Sequence, residues 1–221
     1  MRAAMMFSGG KDSNLALHKA IESGIEIPCL LTITFDGKRF RAHPQKLIAM
    51  QAQALGIRHF FFNANKPYLQ DYRKALRTLI GKYQIEALVT GDLWLQSAMK
   101  WTKKVIKPLP LELITPLWKM PTNRIMQELM EKNFKPMITC AIPKKLQKSW
   151  VGKTITARNL QEFKSACRKT RTDVCGENGE FHTIVLDAPL YKKKIEITGS
   201  KIISTKEHCY LKPEEFKLVA K

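Results

Sequence analysis

The chain has 221 residues, of which 44% are hydrophobic and 26% are charged, a composition that excludes a disordered tail, a collagen and a coiled coil. Its five cysteines are widely spaced, with no CxxC pair, and fit neither a disulfide framework nor a zinc ribbon. No apolar run has the length of a membrane span. We therefore expect a soluble protein of the reducing cytoplasm, with no membrane partner.

Positive charge is concentrated in the middle of the chain. The net charge is +19, and residues 100–171 alone carry 17 Lys or Arg against 4 Asp or Glu. Such a stretch attracts polyanions, so RNA, an acidic protein or a phosphorylated ligand is a candidate partner. A solvated, lysine-rich surface explains the charge equally well, because the stretch contains no RGG, RNP or zinc-knuckle pattern.

Short apolar runs alternate with longer helical stretches in the first half of the chain. The repeated β–α units predict a five-stranded parallel sheet with helices on both faces and a ligand site at the carboxyl ends of its strands. Gly24 and Gly56 are predicted to end the first two helices. The predicted strands are residues 3–7, 27–34, 59–63, 87–90 and 111–117, and the predicted helices are residues 13–23, 44–55, 67–83 and 92–105.

The pattern changes after a further predicted helix, residues 122–132, and a strand, residues 135–142. From Pro143 onward the sequence predicts one helix, with Asn159 as its N-cap and Glu162 at N3, followed by several short strands. Residues 198–200 (TGS) are interpreted as the turn of a terminal hairpin. We therefore predict a main α/β domain over residues 1–133 and a smaller α+β subdomain over residues 134–221.

A glycine-rich loop, residues 8–13 (SGGKDS), lies directly after the first predicted strand and directly before the first helix. Two glycines let the backbone turn tightly, so that successive N–H groups face one concavity at a helix N-terminus and bind an anion. Lys11 adds a positive charge, and Asp12 with Ser13 can cap the helix or hold phosphate-bound Mg²⁺. A polar turn with a capped helix is the alternative, but the position in an α/β pattern favours a phosphate-bearing ligand.

A second motif, residues 175–183 (CGENGEFHT), separates a basic helix from an apolar strand. Glu177, Glu180 and His182 bring three titratable groups within six residues, and Glu180 and His182 share a face if the segment is extended. Such a cluster could deprotonate an ammonium ion, hold Mg²⁺ or orient an amine. An exposed acidic turn without chemistry has the same spacing.

The first loop resembles the pyrophosphate loop of the N-type ATP pyrophosphatases, in the adenine-nucleotide alpha-hydrolase (HUP) superfamily. With the second motif, nearly the whole chain resembles the diphthine–ammonia ligase family, also called the ATP-binding-domain-4 family. The resemblance extends to residues 51–56 (QAQALG), 89–92 (VTGD), 116–118 (PLW) and 151–153 (VGK). It implies a HUP-type Rossmann-like domain, followed by a smaller domain that carries the second motif.

The resemblance also implies an activity, the ATP-dependent amidation of a carboxylate. The carboxylate of diphthine, on elongation factor 2, or a related acid would be adenylated, and ammonia would then displace AMP. ATP, Mg²⁺ and ammonium are the implied small molecules. The sequence leaves open whether the protein forms an oligomer. The implied nucleotide-binding residues are Ser8, Gly9, Gly10, Lys11, Asp12, Ser13, Gly91 and Asp92, with Asp12 as the metal ligand.

The same resemblance assigns catalysis to Lys11, Asp12, Glu177, Glu180 and His182. Substrate binding is assigned to Gly176, Glu177, Asn178, Gly179 and Glu180. Asp92 has an alternative role as the N-cap of the next helix.

Two departures from the family pattern are visible. His182 stands where other members have Glu, and residues 41–44 (RAHP) stand where many have His-Gly-Val-Arg. Two other functions stay open: an adenylating tRNA- or RNA-modifying enzyme that uses the basic middle of the chain, and an ATP-binding module without turnover.

Overall fold

The structure, a computed structural model, describes residues 1–35 and 42–221, and its first sheet has five parallel strands. The strands are ordered β3-β2-β1-β4-β5, a Rossmann-like order that reverses between β1 and β4. These strands are β1 (Arg2–Met6), β2 (Glu26–Phe35), β3 (Arg58–Ala64), β4 (Ala87–Val89) and β5 (Glu112–Ile114). The helices between and after them are α1 (Lys11–Glu22), α2 (Gln45–Leu55), α3 (Tyr68–Tyr83), α4 (Gln96–Ile106) and α5 (Thr122–Glu131).

The second sheet is antiparallel and has the order β7-β6-β9-β8. Its strands are β6 (Pro136–Ala141), β7 (Phe181–Val185), β8 (Lys194–Ser204) and β9 (Cys209–Val219), and the remaining helices are a 3-10 turn at Lys148–Trp150 and α6 (Leu160–Lys169). The predicted fold class, a Rossmann-like parallel α/β sheet with a smaller C-terminal α+β part, is confirmed.

The chain divides into two compact units. The first unit contains residues 1–8, 12–35 and 57–119, and the second contains residues 9–11, 42–56 and 120–221. Residues 9–11 and 42–56 therefore belong to the same unit as the C-terminal sheet. The predicted domain boundary between residues 133 and 134 stays a prediction.

The core of the first unit is built from the parallel sheet and α3. Strands β1 and β4 are apolar and buried, as expected of strands in the middle of a parallel sheet. Helix α3 contributes Leu76 and Leu79, which are buried in the same cluster as Leu31 and Leu88. Within the described ranges, no helix is long and apolar enough to cross a membrane.

Aromatic side chains connect α6 to the sheet in the second unit. Phe163 of α6 makes edge contacts with Trp150 and Phe181, at ring-centroid distances of 5.2 Å and 5.5 Å. Phe163 is fully buried, so these contacts fix the helix beside the start of β7. At the other edge of this sheet, β8 exposes Lys194 and Lys201 and is interrupted by a bulge at Gly199.

Two local predictions were wrong, and a third was confirmed in position only. Gly199 lies inside β8, at a bulge, and the hairpin turn lies at residues 205–208 instead. A glycine in the sequence can mark a bulge within a strand as well as a turn. Asn159 occupies the N-cap position of α6, as predicted, but its side chain makes no capping hydrogen bond, because it bonds Thr156 and Thr154 instead. Helix α4 begins at Gln96 rather than at residue 92.

His59 on β3 makes the first unit sensitive to acid. Its Nε2 lies 2.8 Å from the hydroxyl of Thr32, which itself donates to the carbonyl of Phe7, so Nε2 carries the proton. Nδ1 is buried and has no hydrogen-bond partner among the described residues. Burial lowers the pKa of His59 to about 4, because a proton on Nδ1 would bring a charge out of water.

We expect the stability of the protein to fall as the pH drops from about 6.5 towards 4, since only the unfolded state accepts the proton of His59 in this window. The variant His59→Gln keeps a donor for Thr32 but does not titrate, so its stability should fall less over the same range. Urea unfolding at pH 7, 6, 5 and 4 measures the difference. Equal pH dependence of the two proteins would contradict the assignment.

Candidate functional site

In the first unit, the predicted site residues lie at the carboxyl ends of β1 and β4, where the strand order reverses. The hydroxyl of Ser8 donates to that of Ser13 over 3.2 Å. A Cβ on Gly91 would lie 2.9 Å from the backbone nitrogen of Ser13 and 3.0 Å from the carbonyl oxygen of Asp12. Only glycine therefore lets the first turn of α1 approach the end of β4 so closely.

Asp92 follows Gly91 but does not cap a helix, so the N-cap alternative was wrong. Its carboxylate accepts a hydrogen bond of 2.7 Å from the hydroxyl of Thr90, at the end of β4. Burial, followed by the charge of Asp92, raises the pKa of Tyr72. Asp92 therefore acts electrostatically on the interior of this unit.

Asp12 lies in the first turn of α1, where the helix dipole favours negative charge. Within the described part of the chain, no group of three or more His, Cys, Asp and Glu side chains could hold a metal ion. Mg²⁺ on a triphosphate needs only one or two carboxylates, because phosphate oxygens and water complete its shell. Asp12 beside a glycine-rich loop fits this requirement, and its role as a ligand stays a prediction.

In the second unit, residues 9–11 lie along β7. The carbonyl of Gly9 accepts from the backbone N–H of Val185 over 3.0 Å and from the side-chain Nε2 of Gln51 over 2.8 Å. The backbone N–H of Lys11 donates to the hydroxyl of Thr183 over 3.1 Å. The second motif, residues 175–183, is here called the late motif. The glycine loop is thus hydrogen-bonded to β7, the strand that begins within the late motif.

Lys11 is turned towards the late motif. Its ammonium donates to the carbonyl of Cys175 over 2.5 Å and lies 5.6 Å from the ring centroid of Phe181. The residue is only 2% exposed. In this structure the Lys11 ammonium therefore holds the carbonyl of Cys175, the first residue of the late motif.

Glu180 holds the late motif in shape. Its carboxylate accepts from the backbone N–H groups of Asp173 and Asn178 and from the side-chain amide of Asn178. Burial opposes ionisation, but these hydrogen bonds outweigh it, and the pKa of Glu180 is lowered. The group is an ionised acceptor for its own loop, and its predicted catalytic role stays a prediction.

The backbone conformation favours glycine at both ends of this loop, but only one end also lacks space for a side chain. A Cβ on Gly176 would lie 2.8 Å from the carbonyl oxygen of Phe181, whereas a Cβ on Gly179 would meet nothing within 4 Å. Both residues have positive φ, 74° and 76°. Glu177 is half-buried, and Asn178 and Gly179 are exposed, so this side of the loop is the accessible one.

His182 is paired with a second histidine. Nδ1 of His182 lies 3.3 Å from Nε2 of His43; His43 is buried and His182 is half-buried. Burial, followed by the charges of Lys11 and His208, lowers the pKa of His182. A neutral imidazole at this position can accept a proton near pH 7. Of the departure at residues 41–44, Arg41 lies outside the described residues.

Three residues of this arrangement were not predicted: Gln51, Thr183 and His43. Gln51 was detectable, because helical spacing places it on the apolar face of α2 with Leu47, Ile48 and Leu55. Thr183 belongs to the late motif but had no assigned role. For His43 the sequence held no spacing signal, since its contact is formed across 139 residues.

Comparisons with known proteins agree with the predicted resemblance. A model of the diphthamide synthase N-terminal domain matches residues 1–113, and one of the C-terminal domain matches residues 121–219. Curated relatives named diphthine–ammonia ligase include a protein of Schizosaccharomyces pombe, 25% identical over 96% of this chain, and one of Homo sapiens, 24% identical over 92%.

The chain spans 39% of the length of the Schizosaccharomyces pombe protein and 85% of the human one. A solved structure described as a predicted subunit of tRNA methyltransferase from Methanocaldococcus jannaschii is 16% identical, with a TM-score of 0.47 over 86% of this chain and 98% of that one. Because the two domain models together match most of its residues, the chain belongs to the diphthamide synthase family.

Proposed function

We propose that this protein is an AMP-forming ligase that uses ATP to join a carboxylate to ammonia, with diphthine of elongation factor 2, or a related acid, as the acceptor. In the first step, the carboxylate attacks the α-phosphorus, forming an acyl-adenylate and releasing pyrophosphate. In the second step, ammonia attacks the acyl carbon, the bond to AMP breaks, and one proton leaves the nitrogen. The product is a primary amide.

The observation that carries the proposal is the hydrogen bonding of the glycine loop to the late motif within the second unit. Lys11 donates through its backbone to Thr183 and through its side chain to Cys175, 172 and 164 residues away. A ligase of this type needs the group that holds the leaving pyrophosphate to be near the groups that receive the acyl chain. Direct bonds between the two motifs support that requirement.

Each residue then has a proposed task. The backbone N–H groups of the glycine loop hold the pyrophosphate end of ATP. His182 accepts the proton that ammonia loses, because its lowered pKa keeps it neutral at working pH. Glu177, half-buried beside the exposed Asn178, orients the ammonia. Lys11 and Glu180 keep the late motif in this shape.

Mg²⁺ fits this scheme at Asp12, one carboxylate in the first turn of α1 beside a phosphate-binding loop. When bound, such an ion neutralises charge on the pyrophosphate that departs. The Thr90–Asp92 pair at the neighbouring strand end adds a second carboxylate to the same unit.

The test follows the labelled products of ATP. Purified protein with Mg²⁺, ammonium and elongation factor 2 carrying diphthine should convert α-labelled ATP to AMP and release an equal amount of pyrophosphate. Omission of the acceptor should abolish both products. Release of ADP and orthophosphate would exclude adenylation, and ATP binding without product under any acceptor would favour a module without turnover.

A second function, on RNA, is favoured by a surface of exposed cations. This surface, here called the basic face, consists of Lys144, Lys145, Lys148, Arg168, Lys169 and Arg171. Hydroxyl groups of Thr170 and Thr172 both donate to the carbonyl of Lys145, at 2.5 Å and 2.8 Å, and join the end of α6 to the loop after β6. No ion pair involves the cations of this face among the described residues.

Binding of labelled transfer RNA at increasing salt tests the RNA function. We expect a steep salt dependence whose slope in log K against log salt falls by about 2 in a Lys145→Glu, Arg168→Glu, Arg171→Glu variant, at about 0.7 per lost phosphate contact. Lys206→Glu, in the exposed turn after β8, is the matched control. No binding at low salt would reject the RNA function and leave the ligase untouched.

A further inference from the structure

Gln51 is a polar residue in a place that helix packing normally gives to an apolar one. It lies on the buried face of α2, at 0% exposure, between Ile48 and Leu55. Its side-chain nitrogen donates two hydrogen bonds, of 2.8 Å to the carbonyl of Gly9 and 2.7 Å to the carbonyl of Val185. Both amide hydrogens are thereby used, one on the glycine loop and one on β7.

These bonds fix the direction of one peptide group. The carbonyl of Gly9 receives Gln51 and the N–H of Val185 together, so it points towards α2 and β7. The peptide between Gly9 and Gly10 is trans, as only Lys66–Pro67 is cis in the described chain. In a trans peptide the carbonyl and the following N–H point in opposite directions, so the N–H of Gly10 points away from α2 and β7.

The amide oxygen of the Gln51 side chain lies in an energetically unfavourable environment. Its Oε1 is buried and makes no hydrogen bond among the described residues, which is unfavourable for an amide oxygen. A Cβ on Gly9 would lie 2.2 Å from this Oε1, so the oxygen packs directly against the backbone of the loop. A leucine or methionine would avoid the cost, but it could not hold the Gly9 carbonyl.

We propose that Gln51 is a positioning residue that holds the Gly9–Gly10 peptide with its carbonyl turned away from the phosphate and its N–H turned towards it. The inference rests on the proposed function, in which this loop binds the pyrophosphate end of ATP. With the peptide reversed, a carbonyl oxygen would face the anion and repel it. Gln51 thus acts on pyrophosphate through the backbone and does not touch it.

The probe is inorganic pyrophosphate with Mg²⁺, and binding is measured by titration calorimetry on the whole protein. Gln51→Met keeps the length of the side chain and removes its donors, so pyrophosphate should bind roughly tenfold more weakly, the value of about one hydrogen bond. In the ligase assay the same variant should raise KM for ATP and leave the KM for ammonium unchanged. Gln53→Met, exposed on the same helix, should change neither.

A second variant separates positioning from packing. In Gln51→Glu a carboxylate would face two carbonyl oxygens at neutral pH, whereas its protonated form can donate one hydrogen bond. Its pyrophosphate affinity relative to the unchanged protein should therefore rise as the pH falls from 8 to 5.5. A defect of packing alone would give a ratio independent of pH. This readout stands even if Gln51→Met fails to fold.

The outcomes for Gln51 and for the ligase are separate. Equal pyrophosphate affinity of the folded Gln51→Met variant and the unchanged protein overturns the positioning role, whether or not the protein forms amides. Weaker binding by the variant without any ligase turnover upholds the role and rejects the ligase. An unchanged protein that binds neither pyrophosphate nor ATP overturns both.

Discussion

Replacing Gly9 with alanine is expected to weaken ATP binding at least about 30-fold. Gly9 has φ of +74°, a conformation that costs an alanine about 1 kcal/mol, and the added Cβ would lie 2.2 Å from Oε1 of Gln51 and 2.8 Å from Cδ1 of Ile184. Overpacking of this kind costs about 1 to 3 kcal/mol. The loop must leave its place beside β7, and the direction of its N–H groups is then lost. Calorimetric titration with ATP and Mg²⁺ measures the change.

A matched glycine is available in the same chain. Gly81 lies on the exposed side of α3, and a Cβ there would meet nothing within 4 Å. Gly81→Ala should leave ATP binding unchanged and stabilise the protein by up to about 1 kcal/mol, because alanine favours the helix. If Gly9→Ala bound ATP as well as Gly81→Ala, the glycine loop would not be the nucleotide site.

Removal of the Glu180 side chain is expected to destabilise the protein by about 2 to 3 kcal/mol. The carboxylate is 2% exposed and accepts from the backbone of Asp173 and Asn178, so Glu180→Ala leaves charge-assisted hydrogen bonds without an acceptor. Glu180→Gln keeps an acceptor oxygen and should lose less. Urea unfolding at pH 7 measures all three proteins, and Glu162→Ala, exposed on α6, is the control at about 0.5 kcal/mol or less.

The sign of the pH dependence follows from the lowered pKa of Glu180. Its contribution to stability is fully present above about pH 4.5, the ordinary value for the unfolded chain, and is lost as the pH falls through the lower value of the folded state. The stability gap between the unchanged protein and Glu180→Gln should therefore narrow on acidification below about pH 4.5. A gap that widened would mean that Glu180 is held protonated.

The parallel sheet could be predicted because buried parallel strands are short and apolar, and because segments with the periodicity of a helix separate them in the sequence. All five predicted strands exist, and the first two helices end near Gly24 and Gly56 as expected. Boundaries set by tertiary packing were less accessible. The segment at residues 92–95 has a helical pattern in the sequence, yet it forms no helix, and Lys119 donates to the carbonyl of Leu93.

The candidate site was predictable in position and not in geometry. The glycine loop lies at the carboxyl end of β1, as its place in the sequence indicates. The direction of the Lys11 side chain depends on a carbonyl 164 residues away, which no local pattern can supply. Likewise, no local pattern shows that the loop of Glu180 itself supplies the hydrogen-bond donors that surround the carboxylate.

The long outer strand β8 has a consequence for how copies of this protein behave in a crowded solution. A strand with one unpaired side can recruit a strand of another molecule and start aggregation. Here the exposed charges of Lys194 and Lys201 line that side, and the bulge at Gly199 disturbs its regular spacing. An incoming strand would have to pair beside the charged Lys194 and beside Lys201, which is ion-paired with Glu214, and it would meet an irregular template, so the open edge of the C-terminal sheet disfavours edge-to-edge association.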